Sequence, residues 1–183
     1  MKKFEEKTLE TTAIFEGKVI RLQVDDVELP DGKQAKREIV KHPGAVAILA
    51  LTNEGKIVLV EQYRKALERA IVEIPAGKLE KGEGSEETAR RELEEETGYV
   101  CQSLKLLQSF YTSPGFADEL VYLYVAEGLS QKEERLQPDE DEFVELMEVT
   151  LEEAEQLMEE QRIWDAKTAY AIQYLQLQKA LTE

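Results

Sequence analysis

One segment constrains this chain more than any other: residues 77–99 read GKLEKGEGSEETARRELEEETGY. Ser85 can cap a helix, Glu86 and Glu87 suit its positive end, and Gly98 suits the left-handed position just past its C-terminus. On that helix Glu92 and Glu96 are four apart and Glu95 is three from Glu92, so all three share a face, with neighbouring Cβ atoms roughly 5–6 Å apart. Ala89 and Leu93 lie on another face and can be buried. Like charges at this spacing destabilise a helix, so the trio calls for a neutralising partner. A divalent cation does this best, and two metals about 3.5–4 Å apart could share such a carboxylate set and polarise a phosphoryl group. Arg91, beside the trio, could orient one glutamate through a bidentate contact. The competing reading is a solvated glutamate-rich surface, the usual fate of a charge run.

Composition narrows the metal and the setting. One histidine, His42, and one cysteine, Cys101, exclude an internal disulfide, a thiol cluster and a zinc site built from several imidazoles. A metal here must be held mainly by oxygen, which points to magnesium, manganese or calcium. The 183 residues suffice for one ordinary domain with a sizeable core. A net charge of −16 argues against nucleic-acid binding, which needs a basic surface. No apolar run reaches the ~18 residues of a membrane span. MKKFEEKTLE has no apolar stretch behind its lysines, so no secretory signal is expected. With the lone cysteine, these features predict a cytoplasmic protein without membrane or nucleic-acid partners.

The order of local signals predicts an α+β chain. Residues 8–15, 18–29 and 34–41 read as a meander of about three strands, with a turn at Pro30-Asp31-Gly32. Residues 45–51 (AVAILAL) read as a buried strand and 56–63 as its hairpin partner. After the glutamate-rich helix come strands at 104–111 and 119–126, an acidic loop over 130–142, and a strand at 143–149. Thr150 and Glu153 form a capping box for a helix to about Gln161, and Asp165 caps a last helix. We expect a β meander over residues 1–43 and a catalytic domain over 44–183.

Gly77, Glu83, Arg91-Glu92-Leu93, Glu95-Glu96 and Gly98 stand at the spacing of the Nudix box, which this segment resembles. Tyr99 departs from it, since the family usually has an aliphatic residue there. The resemblance implies a mixed β-sheet between α-helices and magnesium-dependent hydrolysis of a nucleoside diphosphate linked to another moiety, manganese being a possible substitute. It implies Glu92 and Glu96 as metal ligands, Glu95 as a ligand or close neighbour, Arg91 as an orienting residue and the Ala76 carbonyl as a further ligand.

The flanks resemble the ADP-ribose pyrophosphatase group of that family. The carrying residues are Pro114 within Ser113-Pro114-Gly115, Lys36-Arg37-Glu38, His42-Pro43-Gly44, Glu61-Gln62-Tyr63-Arg64, Glu73-Ile74-Pro75-Ala76 and Trp164-Asp165-Ala166. This similarity implies ADP-ribose as substrate and AMP and ribose 5-phosphate as products. It implies that Arg64 contacts the diphosphate or ribose, and that Arg37 and Glu38 reach the adenine site of a neighbouring subunit in a swapped homodimer. An aromatic near Phe15 stacks on adenine in that group, and Gly77 and Glu119 are further substrate-binding candidates. In that group the general base comes from the loop after the box, which implies Glu142 here, with Glu140 as substitute.

Blander readings stand beside these. Phe15 and Trp164 could be core aromatics, Arg37 and Arg64 surface ion-pairing residues, and Glu73 either a brace for the site or an exposed strand position. His42 reads as a turn residue and Cys101 as packing. The rival functions are a related sugar-nucleotide hydrolase acting on a substrate such as GDP-mannose, a non-catalytic Nudix ligand sensor, and a calcium-binding acidic protein, the last lacking EF-hand spacing.

Overall fold

The computed structural model describes residues 3–132 and 143–182. The chain divides into two compact units, one made of Met1–Gly44 with Phe110–Val121, the other of Ala45–Ser109 with Tyr122–Glu183.

The first unit is an antiparallel meander of β1 (Lys7–Glu16), β2 (Arg21–Glu28) and β3 (Gln34–Lys41). Lys7 faces Glu28 and Glu16 faces Arg21, with two register shifts along the pair. Gly32 closes the β2–β3 turn with φ 84°, donating its N–H to the Leu29 carbonyl, which suits glycine. All ten residues of β1 are exposed, whereas Asp25 and Val27 of β2 are buried. The 110–121 segment joins β3 through Val40 N–H to the Phe116 carbonyl at 2.7 Å and Asp118 N–H to the Val40 carbonyl at 3.2 Å.

The second unit carries β4 (Ala45–Leu51), β5 (Ile57–Arg64), a short 3-10 turn (Lys65–Leu67), β6 (Arg69–Glu73), β7 (Ala76–Lys78), α1 (Ser85–Thr97), β8 (Tyr99–Tyr111), β9 (Leu120–Gln131), β10 (Val144–Val149), α2 (Leu151–Glu159) and α3 (Ala166–Thr182). The sheet runs β10-β5-β4-β9-β8, with β6 added to β5 and β7 to β4. Val46 to Ala50 are fully buried without alternation, the pattern of a strand covered on both faces. Val46, Ile48 and Ala50 pack with Val58, Tyr124, Ala126 and the helix residues Ala89 and Leu93. Ala89 and Leu93 thus bury the face that adjoins the glutamates, so core packing decides how α1 is rotated. No helix among the described residues is long and apolar enough to cross a membrane.

Three local expectations change. The 69–78 stretch, to which the order of local signals assigns no element, forms β6 and β7 on either side of Pro75. Pro75 has no N–H to donate, but its carbonyl accepts from Ile48 N–H at 2.8 Å. The α1 cap is Gly84, not Ser85, because the Ser85 hydroxyl is engaged with the Tyr124 hydroxyl at 2.8 Å. Trp164 is 56% exposed rather than core, with the Arg69 guanidinium 5.0 Å from its ring centroid.

Candidate active site

The site grows from the contact of β7 with α1. Gly77 lies on β7, and a Cβ built on it would stand 1.9 Å from Glu92 Cδ. The Glu92 carboxylate therefore occupies the volume that any other residue at 77 would fill. One residue earlier, Ala76 N–H donates to Glu96 Oε2 at 2.9 Å. Glu92 and Glu96 are both buried, so the strand pins two carboxylates of the same helix face.

Arg91 organises the rest. Its Nη1 donates to Glu92 Oε1 at 2.9 Å and to Glu95 Oε2 at 2.7 Å, while Nε and Nη2 form a fork on Glu83 at 3.1 and 3.0 Å. Hydrogen bonding by Arg91 is the largest cause holding the Glu83 carboxyl below its ordinary range, against a smaller opposing effect of burial. The Arg91 guanidinium is raised in turn, first by its Glu83 hydrogen bonds. Thr88 Oγ1 also donates to Glu83 Oε2 at 2.8 Å, tying it to the first turn of α1.

These residues suit a hard divalent cation on two grounds. One guanidinium serves three carboxylates, so the cluster retains negative charge for a cation to offset. The donors are all oxygen, and the Glu92 pair of oxygens is fixed by the Gly77 cradle. Among the described residues no three acidic, imidazole or thiol groups already stand together as a coordination sphere. Glu92 and Glu95 are bridged by Arg91, and Glu96 is held by Ala76.

A second charged group sits on the same unit. Arg64, at the end of β5, donates Nε to both oxygens of Glu73, at 3.1 and 3.2 Å, and Nη2 to Glu73 Oε2. Burial alone would lower the Arg64 pKa, but Glu73, and beyond it Glu96 and Asp165, raise it on balance. Glu73 is 3% exposed, so its exposed-strand alternative is excluded.

Comparison with known proteins settles the kinship. The profile of the NUDIX domain matches residues 41–171, and that of the nucleoside diphosphate sugar hydrolase N-terminal domain matches residues 6–40. The chain belongs to the Nudix family.

This Nudix chain is 67% identical over 180 residues to the methanol dehydrogenase activator of Bacillus methanolicus, covering 98% of this chain and 97% of the relative. It is 67% identical over 181 residues to the ADP-ribose pyrophosphatase of Bacillus subtilis (strain 168), covering 99% and 98%. The crystal structure of an ADP compounds hydrolase superposes with a TM-score of 0.82 at 21% identity, covering 94% of this chain and 92% of that one, which establishes the shared α+β Nudix fold.

The remaining candidates lie elsewhere. Phe15, Arg37, Glu38 and Glu119 belong to the first unit. Phe15 is 56% exposed, so it is not a core aromatic of this chain, and its ring lies against Gly17. Arg37 forms a fork on Glu6 at 2.6 and 2.8 Å. Glu38 follows it on β3 and so faces the other way. Glu119 accepts from Thr112 Oγ1 at 2.6 Å. His42 Nδ1 accepts from Gly44 N–H at 3.1 Å, the geometry of a turn residue. Glu140 and Glu142 lie outside the described residues. Inspection of the sequence did not single out Lys167, whose Nζ stands 3.2 Å from Glu73 Oε2. Its signal was Asp165, whose capping role puts Lys167 in the first turn of α3.

Proposed function

We propose that this Nudix chain hydrolyses the diphosphate bond of ADP-ribose to AMP and ribose 5-phosphate, with magnesium, or manganese in its place, held by Glu92, Glu95 and Glu96. The observation that carries the reading is the Glu92 carboxylate seated in the Gly77 cradle on one helix face with Glu95 and Glu96, the first two held by the Arg91 guanidinium and Glu96 by the Ala76 N–H. The substrate assignment draws on the relative named an ADP-ribose pyrophosphatase, 67% identical over nearly the whole chain.

A bound divalent cation would supply the local positive charge that an acidic protein otherwise lacks toward an anionic substrate, polarise the diphosphate and lower the pKa of the attacking water. The chain's own residues do the rest. Arg91 holds Glu92 and Glu95 in place. The Ala76 N–H fixes Glu96, and the Ala76 carbonyl is proposed as a further ligand. Gly77 leaves room for Glu92 and brings the backbone close to substrate. Arg64 contacts the diphosphate. Glu142, or Glu140 in its stead, takes a proton from water as the water oxygen bonds to one phosphorus. The bridging P–O bond breaks, and the leaving phosphate keeps its electron pair. Glu95 is the first alternative base on the helix. Residues 44–183 form the hydrolytic domain in this reading. Residues 1–43 are exchanged in a homodimer, where Arg37, Glu38, Phe15 and Glu119 complete the adenosine side. We place the enzyme in the cytoplasm.

The test is a panel of nucleoside diphosphate conjugates with magnesium, the products identified by mass. ADP-ribose is expected to give AMP and ribose 5-phosphate. Much faster cleavage of GDP-mannose or another conjugate would overturn the substrate assignment. A second reading comes from the equally similar relative named a methanol dehydrogenase activator: the chain stimulates a methanol dehydrogenase. Adding wild type and Glu96→Gln to such a dehydrogenase tests it, since stimulation that needs Glu96 would link it to the same site.

A further inference from the structure

The box leaves one buried ionic group unused. Glu73 and Asp165 face Arg64 and Lys167 in a four-residue set with balanced charge. Lys167 Nζ stands 3.2 Å from Glu73 Oε2 and donates to Asp165 Oδ1 at 2.8 Å, with its side chain only 15% exposed. Asp165 Oδ1 also accepts from Thr168 N–H at 3.1 Å, capping α3, while its buried Oδ2 has no hydrogen-bond partner among the described residues. Thr168 Oγ1 accepts from Ile74 N–H at 3.0 Å. The first turn of α3 thus grips two consecutive residues, the Glu73 side chain through Lys167 and the Ile74 backbone through Thr168. Two residues further on is Ala76, whose N–H holds Glu96.

Arg64 stands at the outer end of this set. Glu73 occupies its Nε and Nη2 and leaves Nη1 without a protein partner among the described residues. Half of the guanidinium is thereby fixed and the other half presented. Glu73 keeps that orientation only while its own carboxylate is compensated from behind. Lys167 is the cation placed to do so, because an uncompensated acid in a buried site relaxes toward another partner or a proton.

We propose that Lys167 is a positioning residue for substrate binding: anchored on Asp165, it holds Glu73 so that Glu73 fixes Arg64 toward the substrate diphosphate. This rests on the proposed hydrolysis, and the test separates the two. The variants are Lys167→Met, which removes the charge, and Lys167→Arg, which keeps it. Lys167→Gln replaces the first if it does not fold. Two readouts are taken: the NMR signal and solvent exchange of the Arg64 Nε–H without substrate, and steady-state kinetics with ADP-ribose and magnesium.

The expected result is faster exchange of the Arg64 Nε–H in Lys167→Met together with a KM rise on the order of tenfold, the effect of misplacing one charge-assisted hydrogen bond. With binding uniform between ground and transition states, kcat changes little. Lys167→Arg should restore both readouts at least in part. An unchanged Arg64 signal in Lys167→Met overturns the proposal. So does an unchanged KM beside a lowered melting temperature, the mark of a purely structural ion pair. A wild type that does not cleave ADP-ribose overturns the substrate assignment instead. The Arg64 signal then decides the positioning claim alone, altered exchange supporting it and unaltered exchange overturning it.

Discussion

Gly77 carries no reactive group, yet Gly77→Ala should be among the most damaging small changes in this chain. The new Cβ would fall 1.9 Å from Glu92 Cδ, so the carboxylate must leave its seat. We expect metal affinity to fall about 10–100-fold, the scale seen when a group supporting a ligand is lost. Calorimetric titration with magnesium or manganese checks this, and an affinity equal to wild type would show that Glu92 binds from another position. Glu96→Gln should weaken metal binding and activity together while keeping the fold, because the amide oxygen still accepts from Ala76 N–H. Glu142→Gln should keep metal and substrate binding but lose turnover by about 10²–10⁴-fold, as a missing general base does. Near-normal turnover in Glu142→Gln with loss in Glu140→Gln would assign the base to Glu140. Glu83 gives a pH signature. Its folded pKa is depressed, chiefly by Arg91, so its stabilising contribution is complete above the ordinary value of 4.5 and is lost as pH falls through the folded value. Glu83→Gln should therefore be less stable than wild type near neutral pH, and the gap should close in acid. Urea midpoints near pH 7 and near pH 3 measure both.

At the scale of elements, most helix boundaries were legible because caps act within one turn. Thr150 and Glu153 make both halves of the capping box, at 3.2 and 2.7 Å, and Gly98 ends α1 with φ 74°. Thr150→Ala should cost about 1 kcal/mol. Denaturant unfolding reads the loss, and an unmoved midpoint would mean that α2 owes its stability to packing against α3 instead. Ser85 was misassigned as the α1 cap because its hydroxyl has a distant alternative, the Tyr124 hydroxyl, which local sequence does not reveal. The two strands flanking Pro75 were missed for a related reason. Each is short, at five and three residues, and exists because β5 and β4 offer edges to pair with.

At the scale of the molecule, β1 is the anomaly. Its ten residues are all exposed, Leu9, Ile14 and Phe15 among them, and a long strand with such side chains invites pairing with another chain. Sedimentation at micromolar concentration is expected to give a homodimer, and a fully active monomer would remove residues 1–43 from the active site. What the sequence determined by itself was whatever repeats within a few residues. The shared face of Glu92, Glu95 and Glu96, the buried face of Ala89 and Leu93, the unbroken apolar run of β4 and the α+β order all follow from helix and strand periodicity. Tertiary structure alone decided that Gly77 lies beneath Glu92, that Trp164 faces outward and that Lys167 backs Glu73. Those pairings join residues far apart in sequence. They exist only once β7 and α3 have docked, because side-chain partners over such separations are selected by the packing of the whole chain and not by any local backbone period.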